Sequence, residues 1–277
     1  MKILIRGAGD IATGIALRLY RAGMQVVMTD LPAPTAIRRT VCFSQAIILG
    51  EMTVEDVTAR RAETSDQAEA LLAQGLIPVL ADPDCTCRTR LRPDALVDAI
   101  LAKRNLGTKI DDAPIVVGIG PGFTAGEDCH AVVETMRGHT LGRVIYRGSA
   151  LPNTNIPGLI GGYAGERVLR APAEGIFCQK LEIGAVVRAG DVAGEVAGQP
   201  MRCTIDGVLR GILADGTPVF RGMKAGDVDP RCKPEYCTTA SDKALAVGGG
   251  VLEAVLHLHH RNRPAEKQSQ FTGGAIL

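Results

Sequence analysis

An opening that reads strand, glycine turn, helix, strand predicts the fold together with a later run of short β-type segments and an apolar-striped last helix. The predicted class is α/β. A Rossmann-like N-terminal domain covers residues 1–165, and a small all-β barrel-sandwich-type domain covers 166–231. A cysteine-bearing loop and helix, 232–263, packs back on the α/β domain, and 264–277 reads as a flexible tail.

The elements follow in chain order. In MKILIRGAGDIATGIALRLYRAGMQVVMTD, Ile3 and Ile5 sit in a short apolar run, and Ile11, Ile15 and Leu19 then recur at helical spacing. Gly23 stops that helix, and QVVMTD supplies the next strand, giving a βαβ opening. Further strands are expected at 45–49, 77–81 and 115–119. Helices are expected at 65–74, 93–104 and 127–137, with Pro93 suited to a first helical turn. From about Arg167, Gly and Asp cut the chain every few residues, as in a β unit with many tight turns. An approximate repeat lies inside it, IGAVVRAGDVAGEV and later DGTPVFRGMKAGDV. Ser241 is a good cap for the last helix, and Leu252, Val255 and Leu256 stripe it. The triple glycine 248–250 is costly inside a helix, so it either breaks the helix or permits close packing.

Composition narrows the function. The chain has 31 basic residues against 30 acidic, which gives no electrostatic footprint for nucleic acid or an anionic membrane. Aromatic content is 3%, too little for base-stacking platforms and consistent with a Val, Ile, Leu and Ala core. No apolar run reaches the length of a membrane span, and MKILI is too short for a signal-peptide core. A cytoplasmic protein is expected, in which the eight cysteines are buried thiols, metal ligands or reactive sulfur.

Two glycine turns carry the binding expectation. Gly7 and Gly9 fit G-x-G-x-x-[GA], and Asp30 ends the following strand where an acid would take ribose hydroxyls. Asp10, inside that turn, puts a negative charge where a phosphate would sit. The second turn has Gly118, Gly120, Gly122 and Gly126 after a strand, with Thr124 able to contact an oxyanion. Two such turns could face each other across a crevice at the carboxyl ends of the strands; the alternative is tight strand-to-helix packing. His130 and Glu134 would share a helix face, but two such groups are too few for zinc, and no metal is expected.

Among the cysteines, Cys42, Cys178 and Cys203 read as inert core. Cys85 and Cys87 form a CxC in a loop, and Cys232 and Cys237 form a Cx4C before the last helix. Closeness to that helix and to Lys243 would lower the Cys237 thiol and make it a nucleophile. The alternatives are a four-thiolate zinc site, though neither spacing is usual, and a purely structural role for these cysteines. Met223-Lys224 falls in the late turn of the repeat and not on a carrier hairpin, so covalent biotin or lipoate is not expected.

Several long stretches resemble one family: VVGIGPGFTAGEDCHAVVETMRGHTLGRVIYRGSALPNTNIPG, ILAKRNLGT, IDGVLRGILADGTPVFRGMKAGDVDPR and SDKALAVGGGVLEAVL. They look like the YqeB family, accessory proteins of selenium-dependent molybdenum hydroxylase systems, from Met1 to about Leu256. The resemblance implies a maturation factor, similar in concept to XdhC-type factors. Its partners would be the hydroxylase and its other maturation factors, with a homo-oligomer possible. The implied ligand is a molybdopterin-type cofactor or a nucleotide held by the two turns and Lys243, with Cys237 passing sulfur or selenium. An NAD(P)-dependent oxidoreductase and a non-catalytic scaffold are the alternatives.

Overall fold

The computed structural model describes residues 1–154 and 156–262; the expected tail lies outside them. The chain opens with β1 (Lys2–Arg6), α1 (Asp10–Arg21) and β2 (Gln25–Asp30). Next come α2 (Gln45–Leu49), β3 (Glu51–Val54), β4 (Val57–Ala62), α3 (Ser65–Ala73) and β5 (Ile77–Ala81). After α4 (Arg88–Leu91) follow β6 (Ala95–Asp98), β7 (Val116–Ile119), β8 (Thr124–Ala125), β9 (Ala131–Val133), β10 (Val144–Ile145) and β11 (Gly148–Ser149). All of these strands but β8 and β11 form one nine-stranded sheet, ordered β10-β9-β7-β6-β1-β2-β5-β4-β3. Its interior is parallel and both edge pairs are antiparallel.

Alternation along each strand sends side chains to two faces. Ile3, Ile5, Val26, Met28, Val97 and Val117 meet α1 on one face. Leu4, Val27, Leu96, Val116 and Val132 meet α3 and α4 on the other. Burying each such side chain contributes about 1.5–3 kcal/mol, which makes this sheet the mechanical base of the molecule.

Residues 168–229 build two four-stranded antiparallel sheets. The strands are β12 (Val168–Arg170), β13 (Gly175–Gln179), β14 (Val186–Val187), β15 (Val192–Val196), β16 (Gln199–Arg202), β17 (Gly207–Ile212), β18 (Pro218–Val219) and β19 (Lys224–Asp229). One sheet is β12-β19-β17-β14, the other β16-β15-β13-β18, and Phe177, Leu209, Ile212 and Val228 belong to their common core. The sequence repeat maps to β14-β15 and β18-β19, and each unit divides between the sheets.

The last helix, α5 (Asp242–Arg261), lies against α1. It runs unbroken through the triple glycine. A Cβ on Gly250 would stand 2.2 Å from the Gly142 carbonyl oxygen, and one on Gly14 of α1 would stand 2.5 Å from the Ala244 Cβ. The glycines therefore serve close packing, and Gly249, which faces open space, is the exception. No helix among the described residues is long and apolar enough to cross a membrane.

This architecture corrects the expected fold class, a Rossmann-like domain plus a barrel-sandwich. The molecule is a large mixed sheet joined to separate antiparallel sheets, and three local readings failed with the class. Residues 45–49 form helix α2, not a strand, because a short apolar run carries no period that separates the two. Residues 93–104 form β6 and loop, since Arg92 takes a left-handed conformation (φ 47°) and Asp94 is pinned to Lys2 by two hydrogen bonds. Residues 127–137 contain β9, a buried β-branched run beside β7, where a helix was expected. The connections into β7 and β9 thus lack the crossover helices of a doubly wound sheet.

Candidate functional site

A cleft of about 1320 Å³ opens at the carboxyl ends of β1 and β2 and extends to β17 and β19 of the antiparallel unit. The segment around Ile37 ties the two sides together. The Ile37 carbonyl accepts the Ile212 N–H at 2.8 Å, and Arg39 donates to the Ile212 carbonyl at 3.0 Å and to Gln179 Oε1 at 2.8 Å.

Nine basic and five acidic side chains line the cleft, so the question is which charges are already answered. Arg38 is buried, pairs with Asp10 at 3.4 Å and donates to the Tyr236 and Thr239 carbonyls. Arg167 and Arg210 both grip Asp227, and Arg210 reaches Asp229 at 3.1 Å. Arg137 holds Asp242 through two bonds of 2.7 and 2.9 Å. Arg6 bonds Thr108 Oγ1, Asp98 and backbone carbonyls. Arg170 donates to the Gly222 carbonyl.

The acids are similarly occupied, Asp84 excepted. Asp30 accepts the Ala8 and Leu31 N–H groups, both at 2.7 Å, and burial pushes its carboxyl up despite them. Glu134 is 2% exposed; one oxygen takes the Thr135 and Met136 amides at 2.7 Å and the other takes Leu151 at 2.8 Å.

Three ammonium groups are left: Lys103, Lys224 and Lys243. None has a hydrogen bond or ion pair among those found between described residues. All three line the cleft; Lys103 and Lys224 are exposed and Lys243 is half-buried. Burial lowers the Lys103 amine and Lys224 lowers it further. Burial also lowers Lys224, against the pull of Asp227 and Asp10. Lys243 is brought down to about 8 by burial first, then by Lys103 and Arg137, with Asp10 and Glu134 opposing. Two buried donors at the rim, Arg38 Nε and Arg167 Nε, also lack a partner.

The structure distributes the expected site residues unevenly. Gly7, Gly9, Asp10, Asp30 and Lys243 line the cleft; Gly118, Gly120, Gly122, Thr124 and Gly126 do not, and Pro121 alone represents the second turn. Gly118, Gly120 and Gly122 sit where a Cβ would clash, whereas Gly126 meets nothing and is set apart only by its φ of 97°. A Cβ on Gly118 would be 2.4 Å from the Phe123 ring, and one on Gly122 (φ 108°) would be 2.6 Å from the Arg104 backbone. Thr124 bonds Asp128 and Ser149. His130 and Glu134 flank a strand, not one helix face, and His130 Nδ1 accepts the Val116 N–H. The first turn is also filled, because Asp30 caps its Ala8 amide and Asp10 occupies the start of α1.

Cys237 does not match the expected nucleophile. It is 3% exposed in a 3-10 turn, and burial raises its thiol despite Arg38 and Arg210. Cys85 and Cys87 are both buried, whereas Cys232 is exposed. Lys103 and the cleft arginines were missed; Lys243 was expected in the site, and Lys224 drew attention only as a rejected carrier lysine.

Comparison with known proteins adds a relative. The chain is 52% identical over 266 residues, 96% of its length, to the uncharacterized protein YqeB of Escherichia coli K12. Over this span the chain is similar to YqeB. It spans about half of that relative, 49% of its length. No family model matches. Among solved structures, a succinylglutamate desuccinylase/aspartoacylase from Rhodobacter sphaeroides is 26% identical over 23% of this chain and 22% of its own, with a TM-score of 0.20. An aspartoacylase family protein from Mesorhizobium loti is 12% identical over 53% and 60%, TM-score 0.23. The apo ectoine utilization protein EutE from Ruegeria pomeroyi is 12% identical over 82% and 85%, TM-score 0.24. Likenesses at that level lend this chain no activity.

The expected function is corrected accordingly. A role in maturing a selenium-dependent molybdenum hydroxylase does not stand: the relative that the chain matches is an uncharacterized protein and supplies no such role. The geometry agrees, because the thiol that sulfur or selenium transfer would use is buried and its pKa is raised. For the NAD(P) alternative, each Asp30 oxygen already accepts one backbone amide, which leaves a single acceptor site per oxygen for a ribose hydroxyl.

Proposed function

We propose that the cleft binds a small acidic molecule carrying two or more negative charges, held by Lys103, Lys224 and Lys243. The observation that carries this reading is the charge account: three ammonium groups share one cleft without partners while the other basic side chains there are engaged. Unanswered cations in a concave site repel one another, and a multiply charged anion removes that cost. In this reading Gly7 and Gly9 border the ligand without binding its charge, because Asp10 would repel it. The glycines of the second turn shape the scaffold.

Calorimetry and thermal shift with two probes, inorganic pyrophosphate and citrate, test it. At least one probe should bind, and Lys103→Met or Lys224→Met should weaken that binding about tenfold or more, the loss of one charge-assisted contact. Binding should also weaken as salt rises. Absence of binding by both probes, or binding indifferent to both substitutions, refutes the reading.

A further inference from the structure

Lys243 differs from the other two lysines. It is the second residue of α5, so the positive end of a 20-residue helix adds to the repulsion from Lys103 and Arg137. Arg137 cannot move away, because Asp242 clamps it next door. Asp10 and Glu134, the acids that act on Lys243, have oxygens engaged by Arg38 and by backbone amides. An unpaired amine beside other cations in a cleft is the setting that leaves a reactive fraction of a lysine unprotonated near neutral pH and free to act as a nucleophile.

We propose that Lys243 condenses with an aldehyde or ketone group of the acidic ligand, forming an imine. This rests on the anion-binding reading above, which supplies the groups that orient such a ligand. The neutral Nζ attacks the carbonyl carbon; a C–N bond forms as the C=O π pair moves to oxygen, and the proton lost by nitrogen ends on that oxygen. The carbinolamine then takes a second proton from solvent in the open cleft and expels water. The nitrogen lone pair forms C=N, leaving an iminium that returns the proton to solvent or retains it. The net change is amine plus carbonyl to imine plus water, with no oxidant or reductant consumed. Lys103 and Lys224 stay protonated more readily and serve as the electrostatic clamp.

The test uses the full chain with one equivalent of pyridoxal 5′-phosphate, an aldehyde bearing a dianion, reduced in place with cyanoborohydride near neutral pH. Peptide mapping should find a single label on Lys243, and excess pyrophosphate should slow labelling several-fold. Pyridoxal without its phosphate should label far more slowly. Lys243→Arg, checked for folding by a cooperative melt, should lose the label. Label on Lys103 or Lys224, label spread over surface lysines, or no label overturns the proposal. Thermal shifts with pyrophosphate and with citrate in the same samples separate the two failures. If either anion binds without a Lys243 label, only the imine is refuted; if neither binds, the anion reading fails too.

Discussion

Replacing Lys243 with Met removes a charge that the fold holds at a cost. The Lys243 amine, ordinarily near 10.4, lies at about 8 in the cleft, a difference worth up to about 3 kcal/mol at 1.36 kcal/mol per unit. Water in the open cleft screens part of this, leaving about 1–2 kcal/mol. The causes are burial, then Lys103 and Arg137, with Asp10 and Glu134 working against them. The folded state binds this proton less tightly than the unfolded state, so stability rises with pH between the two values. Lys243→Met should therefore be more stable than the parent near pH 7, by about 1–2 kcal/mol. That advantage should shrink as pH rises through about 8 and vanish near 10.4. Urea denaturation at both ends of the window, with equal m-values, measures it. A Met variant that is less stable near pH 7, or an advantage that ignores pH, would refute the reasoning.

Four other outcomes follow from the same geometry. Gly249→Ala should stabilise α5 by about 0.5–1 kcal/mol because its Cβ meets nothing. Gly250→Ala should destabilise by about 1–3 kcal/mol, since backbone at 2.2 Å cannot yield, and thermal melts of the two variants should move in opposite directions. Glu134→Gln turns an acceptor into a donor facing a backbone amide; it should cost about 1–3 kcal/mol and speed hydrogen exchange at Leu151 or its bonded neighbours Thr135 and Met136. Iodoacetamide under native conditions should modify exposed Cys232 and leave buried Cys237 unmodified until the protein unfolds.

The sequence made β1, α1 and β2 legible, because short apolar runs on either side of a clean helical period each point to one answer. The cap of α5 was equally legible, for Ser241 accepts the Ala244 amide at 3.1 Å. Residues 45–49 and 93–104 were not, since short apolar runs fit either period until neighbours decide. The second glycine turn misled for another reason. Its glycines record what presses on them, such as Phe123 and the Arg104 backbone, and that is indistinguishable in sequence from room for a ligand. Lys243 was anticipated, but the set of three cleft lysines was the hardest to see. Lys103 leaves β6, Lys224 begins β19 and Lys243 begins α5, so no local pattern links them. Only the partner account, with arginines and acids already matched, separates them from ordinary surface charge.

The most direct measurement is calorimetric titration of the full chain with pyrophosphate and citrate, repeated on Lys103→Met and Lys224→Met. Saturable binding of at least one anion, weakened about tenfold or more by each substitution, is the predicted result. No binding by either anion, or affinities that survive both substitutions, would contradict an anion site built from these lysines.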